Sequence, residues 1–152
     1  TLISHSQTHC HLEELTKRQD IIDELMIPIK EVEKRIGYTM RMARFPYNKY
    51  NDETLDVARE LNLVLLGNGM NCGADSRPET TPDTIIEKTL NSVCDGAVAC
   101  MHVTPNTNKA LDTILPELKA RGYQLVTPEE LFKIKGITTA PLGVYINNVN
   151  DI

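Results

Sequence analysis

The chain has 152 residues, 41% of them hydrophobic and 24% charged, which suffices for one globular domain or a portion of a larger one. Sixteen Lys and Arg against 21 Asp and Glu leave a net charge of −5, so nucleic acid is excluded as the main partner, while a neutral polymer such as a glycan is not. No apolar run approaches the roughly 18–20 residues that a membrane-spanning helix needs, and Thr1-Leu2-Ile3-Ser4-His5 reads without the basic and apolar stretches of a signal peptide.

Residues 4–15 are polar and carry three of the four histidines. Ile21, Ile22, Leu25, Ile29, Val32 and Ile36 recur at steps of three and four, which predicts a helix over 19–36 stopped by Gly37. Pro28 falls inside it and predicts a kink or two shorter helices. Tyr38 to Arg44 alternates and predicts a strand that Pro46 ends. Asp52 reads as the cap of a helix running to about Leu61. Leu63-Val64-Leu65-Leu66 is a short buried strand closed by Gly67.

Residues 67–81 form a glycine-containing loop of a length that often carries function. A helix is predicted over 82–93 with Pro82 near its start, a strand over 97–103, a helix over 107–121 stopped by Gly122, a strand over 123–126, and a short helix from Pro128 through Leu131. Cys10, Cys72, Cys94 and Cys100 allow three complete pairings, and free buried thiols are equally compatible.

Alternating helices and non-alternating apolar strands predict a parallel sheet covered by helices. Sites in such folds lie after the strand ends. That singles out Arg44-Phe45-Pro46-Tyr47, the 67–81 loop and His102. His5-Ser6-Gln7-Thr8-His9 places two imidazoles four residues apart, on one side of a helical turn, where both reach one zinc ion. Two solvated histidines would look the same, and His11 reads as a surface residue. Arg44 and Tyr47 around Pro46 suit a polar pocket with a backbone donor for an oxyanion, or an ordinary turn after a strand. His102 suits a general acid or base, or a histidine bonded to backbone at the core edge. Asp75 is placed to orient a histidine or to cap a turn.

Taken in order, His-Ser-x-x-His, Arg-x-Pro-Tyr, a loop Asp and an apolar segment ending in His resemble the polysaccharide deacetylases, the NodB-homology domains of carbohydrate esterase family four. Leu115-Pro116-Glu117-Leu118-Lys119-Ala120-Arg121-Gly122-Tyr123 and Val126-Thr127-Pro128-Glu129-Glu130-Leu131 extend the resemblance to about residues 3–132. The resemblance implies an α/β fold, a distorted (β/α) barrel present as its incomplete C-terminal portion over 1–135, with 136–152 as an extension. It implies His5 and His9 as ligands of zinc or another divalent metal. Arg44 would position the catalytic carboxylate, and Pro46 and Tyr47 would hold the oxyanion. His102 would be the general acid, tuned by Asp75, and Cys100 would stand in the pocket wall.

The family's Thr-Phe-Asp-Asp-Gly motif, which supplies the third metal ligand and the base, is expected upstream of Thr1. The rest of the domain would come from that segment or from another chain. Cys72 and Ser76 stand where the family has Asp and Trp, and Cys100 where it has Leu. The implied activity is N-deacetylation of a β-1,4-N-acetylglucosamine polymer, chitin or peptidoglycan, by a secreted or wall-associated protein. The alternatives are an inactive glycan-binding relative and an O-acetyl xylan esterase.

Overall fold

The computed structural model describes every residue, Thr1–Ile152. The chain forms two compact units. The first is Thr1–Gly67 with Ile137–Ile146 and Ile152, and the second is Asn68–Gly136 with Asn147–Asp151.

The longest element of the first unit is α1, Arg18–Ile36. Its predicted period is real, since Ile21, Leu25 and Ile29 all point into the core. Of the two outcomes expected at Pro28, two shorter helices do not form, and one helix runs through it. Proline removes a single ladder bond, while Leu25 and Ile29 on either side of it stay buried, each worth about 1.5–3 kcal/mol. Gly37 ends the helix as expected, at φ +67°, its N–H bonded to the Glu33 carbonyl at 2.8 Å.

The sheet is parallel. It is made of β1 (Met42–Ala43), β2 (Val64–Leu66) and β3 (Tyr145–Ile146), in that order. Met42 aligns with Val64, Leu65 with Tyr145. The strand predicted over 38–44 is thus shortened to two residues. The extended backbone at Ser4 pairs with Ala43 through the Ser4 N–H to the Met42 carbonyl and the Arg44 N–H to the Ser4 carbonyl, both 2.9 Å. His5 therefore leaves directly from the sheet. Within 136–152, Tyr145–Ile146 lie against β2, where Tyr145 accepts the Phe45 N–H at 3.0 Å. Burial pushes the Tyr145 phenol well above its ordinary value.

Helix α2, Asp52–Glu60, is capped one residue earlier than predicted. Asn51 accepts the Thr54 N–H and Thr54 accepts the Asn51 N–H, both at 3.0 Å, a reciprocal pair that Asp52 does not make. The core of this unit gathers Leu12, Ile21, Leu25, Phe45, Val57, Ala58 and Leu65.

The second unit packs α3 (Pro82–Ser92) on α4 (Pro105–Ala120) through Ile85, Ala110, Ile114 and Leu118, and ends in α5 (Pro128–Ile134). Each of these helices starts with the same pair, Thr81-Pro82, Thr104-Pro105 and Thr127-Pro128. The threonine hydroxyl accepts the N–H three residues on, and the proline occupies a position whose N–H would have no partner.

The strands predicted over 97–103 and 123–126 are absent. Only Ala97 makes a bridge, antiparallel, to Asn148. Val103 is fully exposed and Leu125 largely so, and no neighbouring strand in this unit accepts their backbone. His102 consequently sits on the loop that enters α4, not at the end of a strand. Gly69 permits the close approach of this loop region, because a Cβ there would collide with the Asn147 carbonyl.

Candidate active site residues

His5, His9, Arg44, Pro46 and Tyr47 belong to the first unit. The His5 and His9 rings are 5.0 Å apart between centroids, edge to face. They do not meet on a helical turn, as the spacing suggested. Ser6 and His9 take left-handed backbone at φ 65° and 60°, and the segment is a loop. The Ser6 hydroxyl accepts the His9 N–H at 2.9 Å, and the Glu24 carboxylate from α1 takes the Gln7 and Thr8 N–H groups at 3.1 and 2.9 Å and the Thr8 hydroxyl at 2.9 Å. Glu24 thus fixes the loop that carries both histidines. The sequence reading missed it because α1 shows only as an apolar stripe, and Glu24 lies on its polar side.

His5 Nδ1 lies 2.7 Å from the Arg44 carbonyl, and His9 Nδ1 lies 3.3 Å from the Tyr47 hydroxyl. A carbonyl only accepts, so His5 carries its proton on Nδ1 and its lone pair on Nε2, the arrangement that partners of metal-binding histidines impose. The donor set fits a divalent ion to the extent of two imidazoles. The one place where three such ligand atoms gather is His11, Glu13 and Glu14, within 4.8 Å of one another. It does not include His5 or His9.

His11, expected at the surface, is half-buried. It stacks on the Tyr47 ring at 4.0 Å and bonds Glu13 Oε1 at 2.9 Å. Burial works against the charge on Glu13, but the His11 bond, its own backbone N–H and the charges of His11 and Lys49 outweigh it and hold the carboxyl below its usual value. Its contribution to stability is present above the unfolded carboxyl value of 4.5 and is lost as pH falls through the lower folded one.

Arg44 turns its guanidinium onto the Gly67 carbonyl, Nη1 to O 2.6 Å, just past β2. Pro46 is buried and starts a tight turn in which Tyr47 and Asn48 take φ 58° and 56°. Left-handed backbone at non-glycine residues costs about 1–2 kcal/mol each. Its concentration at Ser6, His9, Tyr47 and Asn48 marks these two segments as held in place by their surroundings.

Asp75, Cys100 and His102 belong to the second unit. Asp75 is 4% exposed, and His102 Nδ1 meets its Oδ1 at 2.9 Å while the His102 side chain stays 55% exposed. The His102 backbone N–H also bonds Asp75 Oδ2, at 2.5 Å. A buried carboxylate therefore grips one ring nitrogen and presents the other to solvent. Cys100 is half-buried, its N–H bonded to Asn68 Oδ1 at 3.3 Å.

All four cysteines are free thiols. Burial, reinforced by the charge of Asp75, pushes the Cys72 thiol up, whereas Cys94 is exposed. Titration with a chromogenic disulfide reagent near pH 8 should label Cys94 quickly and Cys72 only on unfolding. Equal rates at the two would contradict this packing.

A family model described as polysaccharide deacetylase matches residues 1–66. A peptidoglycan N-acetylglucosamine deacetylase of Listeria monocytogenes is 30% identical over 132 residues, 85% of this chain and 27% of that protein. The family four acetyl xylan esterase of Clostridium thermocellum, solved with a cobalt ion, superposes with a TM-score of 0.83 at 27% identity over 95% of this chain and 70% of that one. The chain belongs to the polysaccharide deacetylase family.

The family four domain of a multidomain xylanase from the Trinervitermes trinervoides hindgut metagenome superposes with a TM-score of 0.88 at 25% identity, covering 98% of this chain and 71% of that one. A family four pseudoenzyme of Bacillus anthracis does so at 0.77 and 25%, covering 93% of this chain and 48% of that one. The fold is thus the α/β fold of the polysaccharide deacetylases, represented in part. The chain spans about a quarter of the curated relative, 27% of its length. No helix is long and apolar enough to cross a membrane.

Proposed function

We propose that this chain carries the metal-binding histidines and the general acid of a polysaccharide N-deacetylase. The substrate is a β-1,4-N-acetylglucosamine polymer of the cell wall type, peptidoglycan or chitin, encountered outside the cell or at the wall. The observation that supports this most strongly is the His102–Asp75 pair, 2.9 Å between Nδ1 and Oδ1 with a buried carboxylate and an exposed ring. An imidazole so held can release a proton from Nε2 to a departing amine, and the carboxylate stabilises the charge it carries beforehand.

His5 and His9 would hold zinc or another divalent ion, which supplies Lewis-acid polarisation of the acetamide carbonyl when bound. Their Nδ1 contacts, to the Arg44 carbonyl and the Tyr47 hydroxyl, fix the ring orientations that such binding requires. The Pro46–Tyr47 turn would orient the developing oxyanion. Arg44 would steady the catalytic carboxylate.

Metal content checks the first assignment. His5→Ala and His9→Ala should each abolish the cobalt or zinc retained by the parent chain after dialysis. Metal held equally by the parent and by the double variant would remove His5 and His9 from the site and point to His11, Glu13 and Glu14 instead.

A second reading has specific support. Cys72 and Ser76 stand where the family has Asp and Trp, Cys100 replaces an apolar wall residue, and the family includes the Bacillus anthracis pseudoenzyme. Bound metal without acetate release from chitin oligomers or peptidoglycan fragments would favour an inactive glycan-binding protein. Release from acetylated xylan alone would favour an O-acetyl esterase.

A further inference from the structure

Three donors converge on Asp75. The His102 backbone N–H reaches Oδ2 at 2.5 Å, His102 Nδ1 reaches Oδ1 at 2.9 Å, and the Thr107 hydroxyl reaches Oδ2 at 3.1 Å. Thr107 is itself 3% exposed, in the first turn of α4. Its oxygen lies 2.8 Å from the Thr104 hydroxyl, which accepts the Thr107 N–H at 3.1 Å as the helix cap.

A hydroxyl has one proton to give. A carboxylate oxygen accepts, so the Thr107 proton goes to Asp75, and the Thr104 proton goes to Thr107 at 2.8 Å in preference to the Asp75 backbone carbonyl at 3.4 Å. The direction of the whole chain is thereby fixed, from Thr104 to Thr107 to Asp75. The N-terminus of a 16-residue helix stands behind it and favours negative charge at its end.

We infer that Thr107 is a positioning residue for the proton-transfer pair, an inference that rests on the deacetylase reading above. With two donors on Oδ2 the carboxylate cannot turn about its Cβ–Cγ bond, so Oδ1 stays on His102 Nδ1. That contact holds His102 in the tautomer whose lone pair is on Nε2, the atom that must exchange a proton with substrate. With the hydroxyl removed, Oδ2 keeps one donor and faces a methyl group. The carboxylate then shares its two oxygens among fewer protons, and the ring loses its fixed partner. No sequence pattern announces this role, since Thr107 reads only as part of a helix start.

The test uses the full chain, labelled with nitrogen-15, and reads the His102 ring nitrogens by long-range proton–nitrogen correlation, assigned with His102→Gln. In the neutral ring, the parent and Thr107→Ser should show one tautomer, protonated at Nδ1, while Thr107→Val should show exchange between both. Turnover on acetylated chitin oligomers should fall about 100-fold in Thr107→Val through kcat, with KM unchanged and Ser restoring it, because a displacement near 1 Å costs that much. Should Thr107→Val not fold, Thr107→Ala removes the same hydroxyl and is read in the same way. A single unchanged tautomer in the hydroxyl-free variant, or a parent ring protonated at Nε2, overturns the inference. A tautomer that responds in a chain releasing no acetate sinks the deacetylase reading alone and leaves the placement of Thr107 standing.

Discussion

His102→Ala is expected to lower acetate release by about 10²–10⁴-fold, the usual worth of a positioned general acid, while leaving metal content unchanged. A departing amine must take a proton as its bond to carbon breaks, and water is a poor donor at neutral pH. On the proposed reading the donor is His102, an imidazole gripped at Nδ1 by a carboxylate whose side chain is only 4% exposed. Asp75 has little freedom, since it also bonds the His102 main chain and Thr107. Removing the ring deletes the donor without touching His5 or His9, which is why metal content separates this outcome from general damage. A His102→Ala protein with near-normal turnover would remove His102 from the chemistry and leave the Asp75 pair as a loop anchor.

Phe45→Ala should destabilise the first unit by about 3–5 kcal/mol, the cost of deleting a large ring from a packed core. Phe45 is the largest fully buried side chain. Its ring meets Tyr145 edge to face at 5.7 Å, and it packs in the cluster with Leu12, Leu25, Val57 and Leu65. Domains are typically stable by about 5–15 kcal/mol, so this single truncation would consume a large share of the margin. Urea denaturation would show a lower midpoint with an unchanged slope. A loss below about 1 kcal/mol would mean that the ring is not enclosed.

The comparison of sequence and structure divides along a physical line. Helices were legible because their signals are local. The Ile21, Leu25 and Ile29 spacing, the Gly37 stop and the prolines Pro82 and Pro128 each act within a few residues of the feature they specify, whereas the Thr104-Pro105 start of α4 lies two residues before the helix start expected at 107. Strands were legible only in part, at 38–44 and 63–66, because a strand exists only where another backbone accepts its hydrogen bonds. The apolar run at 97–103 finds backbone partners only at Ala97 and Val98 and otherwise stays a loop, while Tyr145–Ile146, in a segment with no strand signal, pairs with β2.

The site divides in the same way. The sequence by itself singled out the residues proposed to carry the chemistry. His5 with His9, Arg44 with Tyr47, and Asp75 with His102 are legible as an ordered set of residue types, and the roles proposed for them come from the resemblance that this order carries. Only the tertiary structure decided how they are held. The loop turned by Ser6 and His9 brings the two imidazoles to 5.0 Å without a helix, Glu24 ties that loop to α1, and Thr107 closes the shell around Asp75. These supporting contacts join residues 16 to 32 positions apart. Nothing local in the chain encodes them, because burial and hydrogen bonding select a partner by its place in space and not by its distance along the sequence.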